Sequence, residues 1–171
     1  MRHCLRIWGA VVPVFLAILG ATAPAAAQGM PTNEIVVGPR LSLDVNDGTH
    51  AVIGGEVRFS VVMIAPTVRL DIRPEVNFYF FDGGSAFDIS GDAIFAFGVR
   101  SDVVEPYAAA GLGIFHVSAD NDGSATRLGL NLLGGAKFLP LQTIQPFVEM
   151  RFTVGDFNPI LLTGGVLFLI R

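Results

Sequence analysis

The sequence predicts an all-β fold, an eight-stranded antiparallel up-and-down transmembrane β-barrel. Apolar and polar residues alternate with a period of two through most of the chain, and turn residues interrupt this alternation repeatedly. Such alternation is typical of strands with two different faces. In addition, 51% of the residues are hydrophobic and only 15% are charged, whereas a water-soluble domain carries about 25% charged residues. The composition therefore favours a barrel whose outer surface meets lipid.

The first 27 residues are expected to be a cleaved signal peptide. A basic start precedes an apolar run from Trp8 to Gly20, and Ala25-Ala26-Ala27 provides a small-residue cleavage site. The run is shorter than the roughly 20 apolar residues of a membrane-spanning helix. The only cysteine, Cys4, lies in this segment, so the mature chain, residues 28–171, has no disulfide. Removing the segment's two arginines leaves 9 basic and 15 acidic residues, a charge of −6 that argues against a nucleic-acid partner.

The first four strands follow from alternation and turn residues. Glu34 to Val45 sets Ile, Val and Leu against Gly, Arg, Ser and Asp, and the hairpin signal Asn46-Asp47-Gly48 follows. In the segment from Val52 to Met63, Ile, Val, Phe and Met lie on one face of the strand, and Glu, Arg and Ser lie on the other. Val68 to Phe81, VRLDIRPEVNFYFF, places four charges on the face opposite its apolar side chains. Phe87 to Val99 sets Ile, Ala and Phe against Asp and Ser.

The last four strands are less regular. Tyr107 to Val117 is rich in small residues, which leave its facing open. A loop from Asp120 to Ser124 is expected before Leu128 to Phe138, whose leucines oppose Asn and Lys. Pro146 to Val154 opposes Val, Met and Phe to Phe, Glu, Arg and Thr, and Ile160 to Ile170 completes the set. Eight is an even number, so the first and last strands of an up-and-down barrel can pair antiparallel when the sheet closes.

Alternate connections differ in composition. The odd ones are rich in Asp, Asn and Gly, while the even ones, Ala65 to Thr67, Arg100 to Pro106 and Leu139 to Pro146, contain or adjoin proline. An up-and-down barrel puts these two sets at opposite ends. Pro39 and Pro74 fall inside strands, so each is expected to need a bulge or a later strand start.

The polar faces are expected to point into the lumen if the apolar faces meet lipid. Positive and negative charges on these faces nearly balance, and unpaired buried charge is costly. An eight-stranded barrel is just filled by side chains, so the lumen is expected to be a polar plug rather than a channel. Asp44 and Asp88 share these faces. The structural lumen charges are predicted to be Arg40, Glu56, Arg58, Arg69, Asp71, Arg73, Glu75, Asp92, Lys137, Glu149 and Arg151.

The sequence predicts no catalytic residue, cofactor or metal site. His50 and His116 are expected near the loop end, which is the end of the barrel that carries the odd-numbered connections. A lipid-modifying enzyme would need them there. Three alternatives stay open beside a structural or surface-exposed role: a soluble periplasmic lipid-binding barrel, a lipid-modifying barrel enzyme and a narrow pore. The soluble barrel would carry a lysine-rich outer face, yet Lys137 is the only lysine.

The chain resembles the small outer-membrane β-barrel family of OmpA-like and opacity-type proteins. PYAAAGLG, residues Pro106 to Gly113, is similar to one strand motif of that family, and Thr163 to Phe168 to its closing strand. The resemblance implies an eight-stranded barrel in the bacterial outer membrane, monomeric and in contact with lipid and lipopolysaccharide. It also implies folding by the barrel-assembly machinery, which reads a C-terminal aromatic residue. Phe168 is expected to supply this residue, because the chain ends Phe168-Leu169-Ile170-Arg171.

Overall fold

The computed structural model describes residues 34–46, 49–81, 84–98, 103–119, 123–139, 143–156 and 158–170. The predicted signal peptide and the hairpin residues Asp47 and Gly48 lie outside these ranges. No helix in the described ranges is long and apolar enough to cross a membrane.

Eight antiparallel strands form one closed barrel, with each strand paired to its sequence neighbours and β1 paired to β8. The predicted fold class is therefore confirmed. The strands are β1 Ile35–Asp44, β2 His50–Ala65, β3 Val68–Phe81, β4 Gly84–Phe97, β5 Val104–Ala119, β6 Gly123–Phe138, β7 Ile144–Gly155 and β8 Ile160–Ile170.

Strand boundaries agree with the sequence prediction for β3 and β8 and differ elsewhere. The predicted loop Asp120 to Ser124 was wrong at its end, since Gly123 and Ser124 belong to β6 and pair with Ala119 and Ser118. Pro106, which was expected in a connection, lies inside β5, and β7 begins two residues before Pro146, the predicted start of that strand. Small and polar residues are poor strand formers alone, but an existing neighbouring strand supplies their pairing.

The expectation that Pro39 and Pro74 need bulges or later strand starts was wrong. Both lie inside unshifted strands, opposite a glycine on one neighbour: Pro39 faces Gly55, and Pro74 faces Gly91. On the other neighbour the pairing stops at the proline and resumes in the same register. The missing N–H of each proline therefore removes a hydrogen bond to one neighbouring strand but does not shift the register. The two register shifts of β2 lie elsewhere, between Ser60 and Val62 and between Met63 and Ala65.

The outward face of the barrel is apolar. In the described strands, side chains alternate between buried and exposed, and none of the exposed positions holds Asp, Glu, Lys or Arg. Large hydrophobic side chains are open on every strand; Leu112, for example, is 68% exposed. A band of this kind is what a bilayer-spanning barrel presents to lipid.

Several inward glycines make room for the aromatic side chains that fill the lumen. A Cβ on Gly135 would lie 2.7 Å from the Tyr107 ring, and one on Gly129 would lie 2.9 Å from Phe115. A Cβ on Gly165 would collide with the Phe147 ring, whereas one on the outward Gly164 would meet nothing closer than 4.0 Å. The two members of this glycine pair therefore have different roles, although the sequence does not distinguish them.

Candidate functional site

The centre of the lumen holds a cluster of arginines and carboxylates that links β1, β2, β3, β4 and β7. Arg40 on β1 donates to Glu56 at 3.1 Å, to Glu149 at 3.0 Å and also to Glu75. These side chains come from strands far apart in sequence, so each bond joins different parts of the barrel. All three carboxylates have side chains with no exposed area.

Arg73 and Arg151 complete the central cluster. Arg73 donates to Glu149 at 2.5 Å and to Asp92 at 2.6 Å. Arg151 lies at ion-pair distance from Glu75 and from Asp92, the latter at 3.5 Å. Both arginines are completely buried. Buried charges are tolerated when they are paired in this way.

Arg58 on β2 crosses the lumen between two aromatic rings. Its guanidinium carbon lies 4.8 Å from the centre of the Tyr107 ring and 4.9 Å from that of Phe147. Its Nε donates to Glu56 at 2.5 Å, and its Nη2 donates to the Tyr107 hydroxyl at 3.3 Å. The same hydroxyl donates to Glu149 at 3.0 Å. Cation–π contacts thus hold Arg58 against the two rings. Hydrogen bonds from Arg58 to Glu56 and from Tyr107 to Glu149 connect these residues to the central cluster.

A second charged cluster lies nearer the end of the barrel that carries the even-numbered connections, which we call the turn side. Arg69 donates to Asp71 at 2.7 Å and to Glu105 at 3.0 Å, and Lys137 lies 2.9 Å from Glu105. The sequence interpretation missed Glu105, because it placed this residue in a connection. Two signals could have found it: its numbering places it on the same face as Tyr107, and Lys137 needs a partner.

Asp88 is held differently from the other carboxylates. It accepts hydrogen bonds from the Tyr79 hydroxyl at 2.6 Å, from the Ser90 hydroxyl at 2.9 Å and from the Asn77 amide at 3.2 Å. Like Asp88, Asn77 is completely buried. These neutral donors were not predicted, because polar uncharged residues leave no strong trace in a charge count.

Apolar side chains close the lumen above and below the central cluster. On the loop side, Val52, Tyr79, Ala86, Phe115 and Leu161 pack together across the barrel. On the turn side, two further apolar groups pack around Arg58 and close the lumen there; we call them the floor. These are Ile94, Ala96, Tyr107, Ala109 and Leu133 in one group, and Val36, Phe147 and Leu167 in the other. The central cluster is therefore enclosed between two apolar layers.

All eleven predicted lumen residues lie on the inward face and are buried. In addition to these, Asp44, Asp88 and Glu105 are buried, so the described lumen contains six cations and eight carboxylates. The cations are Arg40, Arg58, Arg69, Arg73, Lys137 and Arg151, and the carboxylates are Asp44, Glu56, Asp71, Glu75, Asp88, Asp92, Glu105 and Glu149. That these charges serve stability stays a prediction.

The two histidines of the mature chain lie near the loop end, as expected, but on different faces. His50 pairs with Asp44 at the lumen rim. His116 faces outward, with its Nδ1 3.2 Å from the Thr126 hydroxyl and its ring 5.3 Å from the Phe87 ring. No group of three potential metal ligands occurs in the described ranges.

Comparison with known proteins supports the fold. No family model and no curated protein matches the chain. Among solved structures, the N-terminal β-barrel domain of Pseudomonas aeruginosa OprF superposes with a TM-score of 0.66 at 18% identity, covering 81% of this chain and 98% of that one. Ail, the attachment invasion locus protein of Yersinia pestis, gives 0.59 at 16% identity, covering 81% and 97%. The outer membrane enzyme PagL gives 0.50 at 14% identity, covering 78% and 99%.

These identities establish the fold and nothing finer. The chain has the fold of the small eight-stranded outer-membrane barrels, and the resemblance of its strand motifs is confirmed at that level. The same fold occurs in an outer membrane enzyme and in an attachment invasion locus protein. Function must therefore be argued from this chain's own residues.

Proposed function

We propose that the protein resides in the bacterial outer membrane as a structural or surface-exposed barrel without a reaction of its own. It is exported through its cleaved signal peptide and folded by the barrel-assembly machinery. It then stands as a monomer among outer-membrane lipid and lipopolysaccharide. The observation that carries this proposal is the uncharged outward face around a lumen packed with paired charges. A soluble lipid carrier would need the reverse arrangement, with a polar outside and an apolar cavity.

The arrangement of side chains also favours a closed barrel over a pore. An aqueous path would have to pass the apolar loop-side layer, the central ion pairs and the Arg58 floor. Opening it would separate several buried pairs at once, which is costly. Planar-bilayer recordings of the purified protein should show no steady large conductance.

An enzymatic activity is the second candidate, because PagL, an outer membrane enzyme, has the same fold; the sequence left a lipid-modifying barrel enzyme open. His116 is outward and touches a hydroxyl, but no carboxylate occupies the outward face of the described strands. A catalytic histidine is usually oriented by a third, acidic group. Lipid analysis of cells producing the protein should show no product that is lost on changing His50 or His116 to alanine.

Cell fractionation tests the proposal directly. The mature chain should begin at or near Gln28 and sediment with outer membranes, and detergent should be needed to extract it. The folded barrel should run faster on a gel than the heated chain, since a closed barrel resists unfolding by detergent. Recovery in the soluble periplasmic fraction would contradict the membrane proposal.

A further inference from the structure

An apolar groove lies on the outward face of the barrel where β1 meets β8. Its volume is about 350 Å³, and seven residues line it. Arg40 is one of them, but its side chain has no exposed area, so only its backbone reaches the groove. The other six are apolar or lack a side chain: Pro39, Leu41, Ile53, Gly164, Gly165 and Val166. We call this feature the seam groove.

The seam groove lies at a break in the pairing of β1 with β8 that Pro39 causes. The backbone N–H of Val45 donates to the carbonyl of Ile160 at 2.9 Å, and every second residue of an antiparallel strand repeats this pattern. The residue at position 39 would therefore donate to the carbonyl of Val166. Proline has no N–H to donate, and the pairing of the two strands is interrupted at this point.

The carbonyl of Val166, which lacks this donor, lies on the lumen side of the sheet. Its oxygen occupies the space that a Cβ on the inward-facing Gly38 would take. An unpaired carbonyl is costly in hydrocarbon, so a position on the polar lumen side is favoured. The backbone of β8 is thus drawn away from lipid, and Gly164, the preceding outward residue, has no side chain to fill the gap.

The depth of the seam groove places it within the apolar band. Gly164 is four residues from Ile160, the loop-side end of β8. With a rise of about 3.4 Å per residue and a tilt of about 35–45°, it lies roughly 10 Å below that end. An apolar band is about 25 Å tall, so the groove opens near the middle of the band, where lipid chains rather than headgroups are in contact with the barrel.

A lipid chain fits the seam groove better than a polypeptide does. An added polypeptide segment would expose unpaired backbone groups to lipid, which does not occur within the hydrocarbon region. A second barrel would need a larger contact, since a stable interface involves roughly 20–30 residues on each side, and only seven line this groove. A gap beneath rigid side chains would also forfeit dispersion contacts, whereas a flexible chain can follow the surface.

We propose that the seam groove holds one acyl chain of a membrane lipid, packed over Pro39 and Gly164 and against Leu41, Ile53 and Val166. Lipid chains are as apolar as the groove, so close packing stabilises the complex. No polar side chain lines the groove among the described residues, and the headgroup therefore contributes nothing to the choice of lipid. The inference rests on the proposed function in taking the outward face to meet lipid.

Native mass spectrometry of the refolded full barrel in detergent, mixed with dipalmitoyl phosphatidylethanolamine, counts the lipids that stay bound. The unaltered barrel should retain one molecule. Gly164→Leu fills the groove with a side chain and should lower the retained fraction by about ten-fold or more. Dipalmitoyl phosphatidylglycerol, with the same chains and another headgroup, should be retained equally.

Gly91→Leu is the matched control for adding an outward leucine. Gly91 faces outward on β4 opposite a proline, as Gly55 does on β2, and a Cβ there would meet nothing within 4 Å. This variant should retain lipid as the unaltered barrel does. Heat-shifted gel mobility shows whether each variant folds. If Gly164→Leu does not fold, nuclear Overhauser contacts from the lipid chain to the methyl groups of Leu41, Ile53 and Val166 in the unaltered barrel decide the matter.

Four outcomes would overturn the proposal. These are no retained lipid, equal retention by Gly164→Leu, retention that depends on the headgroup, and a dimer that Gly164→Leu abolishes. Because the barrel is purified and the lipid is added, these results are separate from cell fractionation. Failure of lipid retention by a barrel found in the outer membrane would remove the acyl-chain site and leave the proposed function intact.

Discussion

Replacing Glu149 with glutamine should destabilise the barrel strongly. Glu149 accepts hydrogen bonds from Arg40 at 3.0 Å, from Arg73 at 2.5 Å and from the Tyr107 hydroxyl at 3.0 Å. Glutamine keeps the shape but offers one acceptor oxygen, and its amide group faces a guanidinium. The central cluster, with Arg58 included, has four cations and four carboxylates, so the change leaves one positive charge uncompensated. We expect a loss of about 3–5 kcal/mol in the free energy of unfolding.

Equilibrium unfolding in urea, with the protein refolded into lipid vesicles, measures this loss. Glu34→Gln is the matched control: Glu34 is only half-buried and accepts one bond, from Gln145 at 3.0 Å. This change should cost less than about 1 kcal/mol. Arg40→Met combined with Glu149→Gln restores the charge balance, so the double variant should be more stable than the two single losses added together predict. A coupling of about 1–3 kcal/mol is expected. Additive losses would refute the view that pairing stabilises the lumen.

The remaining predictions concern the outward face, the glycines and the Arg58 layer. Leu132→Arg, in the apolar band, should lower the free energy of unfolding by about 2–4 kcal/mol, whereas Thr126→Arg, beyond the band on the same face of β6, should lower it by about 0–1 kcal/mol. Urea unfolding in vesicles gives the order of the two losses. A reversed order would mean that this face does not meet lipid. Gly165→Ala should lower the free energy of unfolding by about 1–3 kcal/mol, because a Cβ there meets the Phe147 ring. Gly164→Ala should be neutral or slightly stabilising. Equal effects of the two substitutions in the same assay would contradict the aromatic packing. Phe147→Leu should cost more stability than Phe168→Leu, since Phe168 is 43% exposed and Phe147 only 2%; thermal gel-shift midpoints compare them.

The alternation of the sequence was enough to predict the closed barrel and its facing. It worked best in β3, where Arg69, Asp71, Arg73 and Glu75 alternate with apolar residues and the strand limits were correct. It was ambiguous in β5, because alanine and glycine occupy both faces there and hydrophobicity does not separate them. The facing of β5 is fixed by its neighbours, which place Tyr107 beside Gly135.

Pairing partners could not be predicted, because they depend on register between distant strands. Arg40 and Glu149 are 109 residues apart, and nothing local indicates that they meet. The two proline positions show the same limit. Whether a proline breaks a strand depends on which side its missing N–H would have faced, and on a neighbour such as Gly55 or Gly91.

The position of Arg40 bears on how the barrel assembles. Arg40 lies on the first strand and contacts Glu149 on the seventh and Thr163 on the eighth, the latter at 3.3 Å. These contacts exist only after β1 and β8 have met. A half-formed sheet would expose the same arginines and carboxylates to hydrocarbon, where each charge is expensive. We therefore expect partly folded sheets to be excluded from the bilayer interior, and insertion and closure to proceed as one cooperative step.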